Sequence, residues 1–187
     1  NMEVRTALAQ DLEEVARRQN DFYAGFNLYP LKSAADLQEW LARRPFGQAI
    51  NHYYLATSHR GDLLAGVGVT LEGLLITNQV VRLPLPLRLG NALLHLLPPD
   101  GQGRRANGHW PWFLPGQEPA AAFLWQSVLW LVREQATLAM LFFDRLGPVA
   151  RAISAPWYLP TGGGTLAVRS PVPLNPERPL YMNNMFE

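Results

Sequence analysis

The sequence predicts an α+β domain with a mixed central sheet and helices on both faces. Three observations predict it. Two capped helical segments follow a short first strand, a β-prone hairpin comes next, and the apolar run Trp110–Phe113 leads through a Pro-Gly turn into a long helix. With 187 residues, 48% of them hydrophobic, the chain is long enough for one well-packed domain and short for two. We therefore expect residues 1–187 to form a single domain.

The first elements are a strand over residues 3–7 and two helices. Each helix begins with a capping signal, in which a polar residue is followed three positions later by an acidic one. The two pairs are Asp11 with Glu14 and Ser33 with Asp36. Apolar residues recur at helical spacing after each pair, so each helix has one face for the core.

The next segment predicts a meander of three strands. They cover residues 52–58, 63–71 and 74–83. The first two flank a polar turn and form a hairpin. Gly66 and Gly68 lie two positions apart and therefore share a face, where a bulky group is expected to pack closely.

The second half of the chain predicts helices and strands in alternation. In order they are a helix over 88–97, a polar loop over 100–108, the strand Trp110–Phe113, a helix from Glu118 to about Gln135, a strand over 138–144, a helix over 148–154, and strands over 165–169 and 180–185. The strand 138–144 is almost wholly apolar, so both of its faces are expected to be covered. The sheet then has about seven strands.

Composition excludes several classes of function. The formal net charge is +1, so no field of one sign attracts nucleic acid or an anionic membrane. The longest mostly apolar run, Ala120–Val132, is too short to span a bilayer. Cysteine is absent, which excludes thiolate catalysis and fits the cytoplasm. Fifteen of the 16 basic residues are arginine, which favours a bacterial source with a GC-rich genome.

The sequence does not predict a metal site or a serine-hydrolase site. His52 and His59 lie at opposite ends of one strand, so no metal site is expected. No serine stands in a Gly-x-Ser-x-Gly context. The start of the helix at Glu118 is a better candidate, because a strand that feeds a helix N-terminus brings free N–H groups and the helix dipole together for an anion.

The order of elements resembles the GNAT superfamily of acetyl-CoA-dependent N-acyltransferases, over nearly the whole chain. Local support comes from the capped helix after EVRTALAQD, the LLAGVGV strand, and LFFD before a short helix. The resemblance implies a three-layer fold and the transfer of an acetyl group from acetyl-CoA to an amine, carried by a small molecule or a peptide. The acceptor and the oligomeric state stay open.

The family signature is Gln or Arg, two residues, Gly, one residue, then Gly or Ala, and its amides hold the coenzyme A pyrophosphate. Two segments compete for it, 87–92 and 117–122. The second is preferred, because helix, strand and helix then follow without interruption, whereas the first needs a long excursion before the next strand. On this register residues 83–108 are an insertion between the third and fourth strands.

The resemblance implies that the acetyl-CoA site is formed by Phe113, Leu114, Gly116, Gln117, Ala120, Ala121 and Ala122. Three features of this segment resist an anion. Ala120 adds a Cβ where the family has glycine. Pro119 lacks an N–H group. Glu118 places a negative charge in the first turn, which would repel a pyrophosphate.

For the chemistry, the resemblance implies a carboxylate base and a tyrosine acid. Glu72, the only carboxylate in the central strand region, is the predicted base, and Tyr158, after the last short helix, is the predicted acid. An imidazole ordinarily titrates near neutral pH, so His109 is a further candidate, but it is expected to face solvent. Two functions remain: an N-acetyltransferase with a divergent pyrophosphate loop, or a GNAT-like binding or structural module without catalysis, which could belong to a longer or tandem protein.

Overall fold

A computed structural model of the chain describes residues 2–79, 85, 89, 91–92, 101–153, 170 and 173–182. The strands are β1 (Met2–Thr6), β2 (Asn51–Ser58), β3 (Leu63–Thr70), β4 (Thr77–Gln79), β5 (Gln102–Phe113) and β6 (Leu138–Leu141). The helices are α1 (Leu12–Tyr23), α2 (Ala34–Ala42), α3 (Glu118–Val132) and α4 (Val149–Ala152). Short 3₁₀ turns cover Ala9–Asp11, Pro45–Gly47 and Glu72–Leu74.

The strands form one mixed sheet, in which β5 pairs with β3, β4 and β6. β1, β2, β3 and β5 are successive antiparallel neighbours. β4 pairs antiparallel with the first residues of β5, and β6 pairs parallel with β5. A parallel partner beside antiparallel ones requires a crossover connection, which α3 supplies between β5 and β6.

Two buried clusters cover the two faces of this sheet. One contains Val67, Ala106, Leu124, Val128 and Val149, and so joins the sheet to α3 and α4. The other joins it to α1 and α2 through Leu12, Val15, Trp40, Tyr53 and Trp112. The predicted α+β class, with helices on both faces, is confirmed. The described residues hold six strands rather than about seven, and the predicted strand 165–169 lies outside them.

The two capping predictions have different outcomes. The Ser33 hydroxyl accepts from the Asp36 amide at 3.2 Å, and the Asp36 carboxylate accepts from the Ser33 amide at 2.7 Å, which is the predicted capping box. Asp11 does not cap α1. Its carboxylate accepts from the Leu8 amide and from both terminal nitrogens of Arg5, and these bonds lower its pKa below the ordinary aspartate value.

Three strand predictions need correction. The predicted third strand 74–83 begins in the turn Glu72–Leu74, and of its described residues Thr77–Gln79 pair, with β5 rather than β3. β5 begins at Gln102 instead of Trp110, because pairing with β4 and β6 holds the glycine-rich segment extended. The strand over 138–144 is shorter and not covered on both faces, since Leu138 and Phe142 are exposed.

The predicted close approach at Gly66 is confirmed. A Cβ on Gly66 would lie within 2.5–2.9 Å of three atoms of the Trp112 ring. Trp112 is 1% exposed and donates its indole N–H to Tyr53 Oη at 2.9 Å. The missing side chain at Gly66 is therefore what allows Trp112 to lie flat on β3.

We expect Gly66→Ala to lower the free energy of unfolding by about 1–3 kcal/mol, because the ring cannot move without leaving Tyr53. The control is Gly25→Ala, where no atom lies within 4 Å of the added Cβ. It should be neutral or slightly stabilising. Urea unfolding measures both, and equal stability of the two variants would contradict the packing argument.

Candidate functional site

β5 and β6 separate into a wedge at the middle of β5. Arg105–Gly108 pair with Leu138–Leu141, after which β6 ends while β5 continues to Phe113. The opposite edge of β5 stays paired with β3 through this region. Within the described residues, the edge of β5 that faces the wedge therefore has no strand partner beyond Gly108.

A β-bulge lies where the wedge opens. Gly66 and Gly68 of β3 face Trp112 and His109, so β5 has one residue more than β3 between these pairs. Trp110 has φ +49°, the left-handed region that is costly for a bulky side chain. Pro111 lacks a ladder donor, which fits a bulge better than regular pairing. Its carbonyl accepts from Tyr23 Oη at 2.8 Å.

Among the described residues, the turn between β5 and α3 leaves few amides without a backbone partner. The Gln117 N–H donates to Leu114 O at 2.9 Å, and Gln117 O accepts from the amides of Ala120 and Ala121 at 3.0 and 3.2 Å. Pro119 has no N–H. Of the predicted donors in this turn, Gly116 keeps an N–H without a backbone partner among the described residues, as does Glu118.

The residues at this turn differ in burial and in charge. Ala120 is fully buried in the cluster beneath α3, so its methyl group points into the core and not into the mouth of the helix. Glu118 lies half-buried in the first turn, with its charge near the same amides. Gly116 is exposed with φ +74°, and nothing lies within 4 Å of where a Cβ would stand. The feature that resists an anion is Glu118 rather than Ala120.

A narrow crevice leads from the bulge to α3. Its lining includes Pro111 and Trp112 of β5, Ala121, Leu124 and Trp125 of α3, and Ile153. The crevice is almost wholly apolar and has room for about one water molecule. Trp125 closes it on one side, because its ring lies beside Gly108 and Leu141 at the start of the wedge.

The predicted base lies away from this turn. Glu72 follows β3 in the turn Glu72–Leu74, and its carboxylate is 3.7 Å from Arg105 Nη2. Since Thr70 pairs with Asn107 whereas Ala65 pairs with Phe113, Glu72 lies toward the start of β5 and the predicted donor residues lie at its end. The predicted acid, Tyr158, lies outside the described residues.

A buried polar cluster between these two ends was not predicted. Asn51, Thr70 and Asn107 are cross-strand partners on β2, β3 and β5, and His109 Nε2 lies 3.0 Å from Thr70 Oγ1. His109 is 4% exposed, so the expectation that it faces solvent is wrong. The alternation of Arg105, Asn107 and His109 would have indicated this face if β5 had been extended back to Gln102.

The direction of each hydrogen bond in this cluster can be assigned because the chain of bonds ends at the Trp40 carbonyl, which can only accept. Asn51 Nδ2 donates to Trp40 O at 2.7 Å, so Asn51 Oδ1 is the atom 2.8 Å from Thr70 Oγ1 and accepts from it. The hydroxyl has one proton, so Thr70 Oγ1 accepts from His109 Nε2.

Asn107 is the exception in this cluster. Its side chain is 1% exposed, and neither Oδ1 nor Nδ2 has a hydrogen-bond partner among the described residues. In the part of the chain that the structure describes, no three His, Asp or Glu side chains lie close enough to hold a metal ion. Nor does any helix there have the length and apolar character to cross a membrane.

Comparison with solved structures gives the fold. A ribosomal-protein-alanine N-acetyltransferase from Brucella melitensis biovar Abortus 2308 is 13% identical, with 90% of this chain and 99% of that chain covered and a TM-score of 0.56. A predicted acetyltransferase from Clostridium acetobutylicum, solved with acetyl-CoA, is 11% identical, covers 90% and 96%, and has a TM-score of 0.55. A tetramutant of the BH1408 protein from Bacillus halodurans is 12% identical, covers 89% and 99%, and has a TM-score of 0.58.

No protein-family model and no curated protein sequence matches the chain. At these identities the likeness to acetyltransferase structures establishes the architecture. The resemblance that the sequence predicts is therefore confirmed at the level of the fold: the chain is a divergent protein with the GNAT fold.

Proposed function

We propose that the protein is an N-acetyltransferase that moves an acetyl group from acetyl-CoA to the amine of a small molecule or a peptide. The wedge between β5 and β6 carries the proposal, because among the described residues the edge of β5 beyond Gly108 has no strand partner beside the mouth of α3. An extended acyl arm can lie along such an edge as an added strand would. A structural neighbour with the same fold was solved with acetyl-CoA.

The thioester arm of acetyl-CoA fits this site better than its pyrophosphate does. The apolar crevice beside Pro111 and Trp125 suits a thioester arm, although it must widen from its present size of about one water molecule. The pyrophosphate meets a first turn in which the N–H groups of Gly116 and Glu118 have no backbone partner among the described residues, with the Glu118 carboxylate in the same turn. We therefore expect the donor to be held mainly by its arm, with Phe113, Leu114, Gln117, Ala121 and Ala122 as its neighbours.

A second candidate is a GNAT-like module that binds or supports another molecule without catalysis. The observation in its favour is the same first turn, which resembles an ordinary helix start with Pro119 pre-organised for it. The edge of β5 that lacks a strand partner among the described residues favours the enzyme, because an open edge is a liability unless something binds to it. For either function, a cytoplasmic location and a single domain over 1–187 remain part of the proposal, supported by the absence of cysteine and by the chain length.

Turnover with acetyl-CoA tests the proposal directly. Incubation with a panel of primary amines and peptides should release free thiol, and mass spectrometry should detect the N-acetylated product. Because the chain has no cysteine, any thiol that a reagent detects comes from coenzyme A. At about 100 times the Kd, acetyl-CoA should raise Tm by about 5–10 °C. If neither turnover nor a thermal shift is detected, the non-catalytic module is the better account.

The charge at the helix mouth should weaken donor binding. We expect Glu118→Gln to lower the Kd for acetyl-CoA about fivefold or more, since repulsion between Glu118 and a nearby phosphate costs about 1–4 kcal/mol. The control is Glu13→Gln, which removes a carboxylate from the first turn of α1. Calorimetric titration measures both. An unchanged Kd in the Glu118 variant would show that the pyrophosphate lies elsewhere.

A further inference from the structure

We infer that Trp125 of α3 is the residue that restricts the acyl donor to acetyl-CoA. The methyl end of the acyl group enters the apolar crevice beside the bulge, and the Trp125 ring excludes a longer chain from it. The inference rests on the proposed acetyl transfer and assigns the acyl specificity of that same site.

The size of the crevice is the first argument. It has room for about one water molecule, and a methyl group is of similar size. The end of an acetyl group therefore fits the crevice as it stands, and widening is needed only for the rest of the arm. Each further methylene needs a wall side chain to move. One methylene in an apolar pocket changes kcat/KM by about 10–200-fold.

The chemistry of the lining is the second argument. The crevice is almost wholly apolar. The Pro111 carbonyl already accepts from Tyr23 Oη at 2.8 Å, and the Trp112 indole N–H already donates to Tyr53 Oη at 2.9 Å. A water molecule needs two to four polar partners to be held in such a space. The lining therefore suits the apolar end of an acyl group better than water.

Most of the walls are fixed by the core, which is the third argument. A Cβ on Gly66 would lie within 2.5–2.9 Å of the Trp112 ring, so no space remains between β3 and that ring. The Tyr53 hydroxyl holds the ring in place. Ala121 and Leu124 are buried in the cluster beneath α3. None of these walls can yield to a longer chain without disturbing the core.

Trp125 is the wall on the side of the wedge. A Cβ on Gly108 would lie 3.0 and 3.1 Å from Cζ3 and Cη2 of the Trp125 ring. Gly108 pairs with Leu141 at the last position where β5 and β6 are paired. Trp125 is half-buried and packs against the edge of the core. A smaller side chain at this position would therefore extend the crevice toward the point where the two strands separate.

The central test is Trp125→Leu. The measurement is kcat/KM for acetyl-CoA and for butanoyl-CoA, with the amine that the wild type acetylates fastest. We expect the wild type to prefer acetyl-CoA about 100-fold or more, because butanoyl-CoA has two further methylenes. The variant should lower that preference to about tenfold or less. A wild type without the preference, or a variant that keeps it unchanged, overturns the inference.

The matched control is Trp130→Leu, the same substitution on the same helix. Trp130 is 66% exposed, and its ring centroid lies 3.8 Å from the guanidinium carbon of Arg133 instead of lining the crevice. We expect this variant to keep the wild-type preference for acetyl-CoA. An equal loss of preference in the two variants overturns the role given to Trp125.

The ratio of the two kcat/KM values separates specificity from stability. Partial unfolding lowers the rate with both donors equally and leaves their ratio unchanged. Trp125→Phe is a second variant, which keeps an aromatic ring in the same place but a smaller one. It should have a ratio between those of the wild type and Trp125→Leu. A ratio in the Phe variant outside that range contradicts the size argument.

Donor binding is a readout that does not depend on turnover. S-ethyl-CoA and S-butyl-CoA are thioethers that match acetyl-CoA and butanoyl-CoA in chain length and cannot transfer a group. Calorimetric titration should give a Kd for S-ethyl-CoA about tenfold or more below that for S-butyl-CoA in the wild type and in Trp130→Leu. The two values should be similar in Trp125→Leu. Similar values in the wild type overturn the inference.

Failure of the inference differs from failure of the proposed function. A wild type that neither transfers an acyl group nor binds a thioether overturns both. A wild type that acetylates amines but accepts butanoyl-CoA equally well overturns only the inference. A wild type that binds S-ethyl-CoA without transferring any acyl group overturns the proposed transfer, and the two thioethers still decide the role of Trp125.

Discussion

The hydrogen bond between the Trp112 indole and Tyr53 is the constraint on which the site depends. It lies at the centre of a buried chain, since Tyr53 Oη also donates to Gln19 Oε1 at 3.1 Å and Gln19 reaches Tyr29. Burial raises the pKa of Tyr53 far above the ordinary tyrosine value, so its hydroxyl remains a donor. With the bond from Tyr23 to the Pro111 carbonyl, this chain ties the bulge and the residue after it to α1. The bulge then sets where β5 leaves β6 and where His109 stands.

Most of the fold could be predicted from local pattern. Ser33 with Asp36, the hairpin of β2 and β3, and the helix from Glu118 each carry a signal within a few residues, and each is found in the structure. The wrong predictions lie where partners distant in sequence determine the local structure. Residues 102–108 have a loop composition but become strand because β4 and β6 supply partners. Asp11 has the spacing of a cap, yet Arg5 and the Leu8 amide take its carboxylate.

The candidate site was predicted only in part, for the same reason. The turn from Leu114 to Ala122 could be located because a strand, a Pro-Gly pair and a helix start are adjacent in sequence. The cluster of Asn51, Thr70, Asn107 and His109 joins three strands that are far apart in the chain, and one sequence holds no signal for that register. The proline in Trp110-Pro111-Trp112 did hold a signal for the bulge, since proline is excluded from regular central strands.

The carboxylate in the first turn of α3 also changes how ionic strength acts on this protein. A phosphate site built from amides and arginines loses affinity as salt screens attraction. Here Glu118 places a full charge in the first turn of α3 with the same sign as a nucleotide, and the Debye length falls from about 30 Å at 0.01 M to about 8 Å at 0.15 M. Salt therefore screens this repulsion, and the proposed acyl donor is expected to bind more tightly as the ionic strength rises.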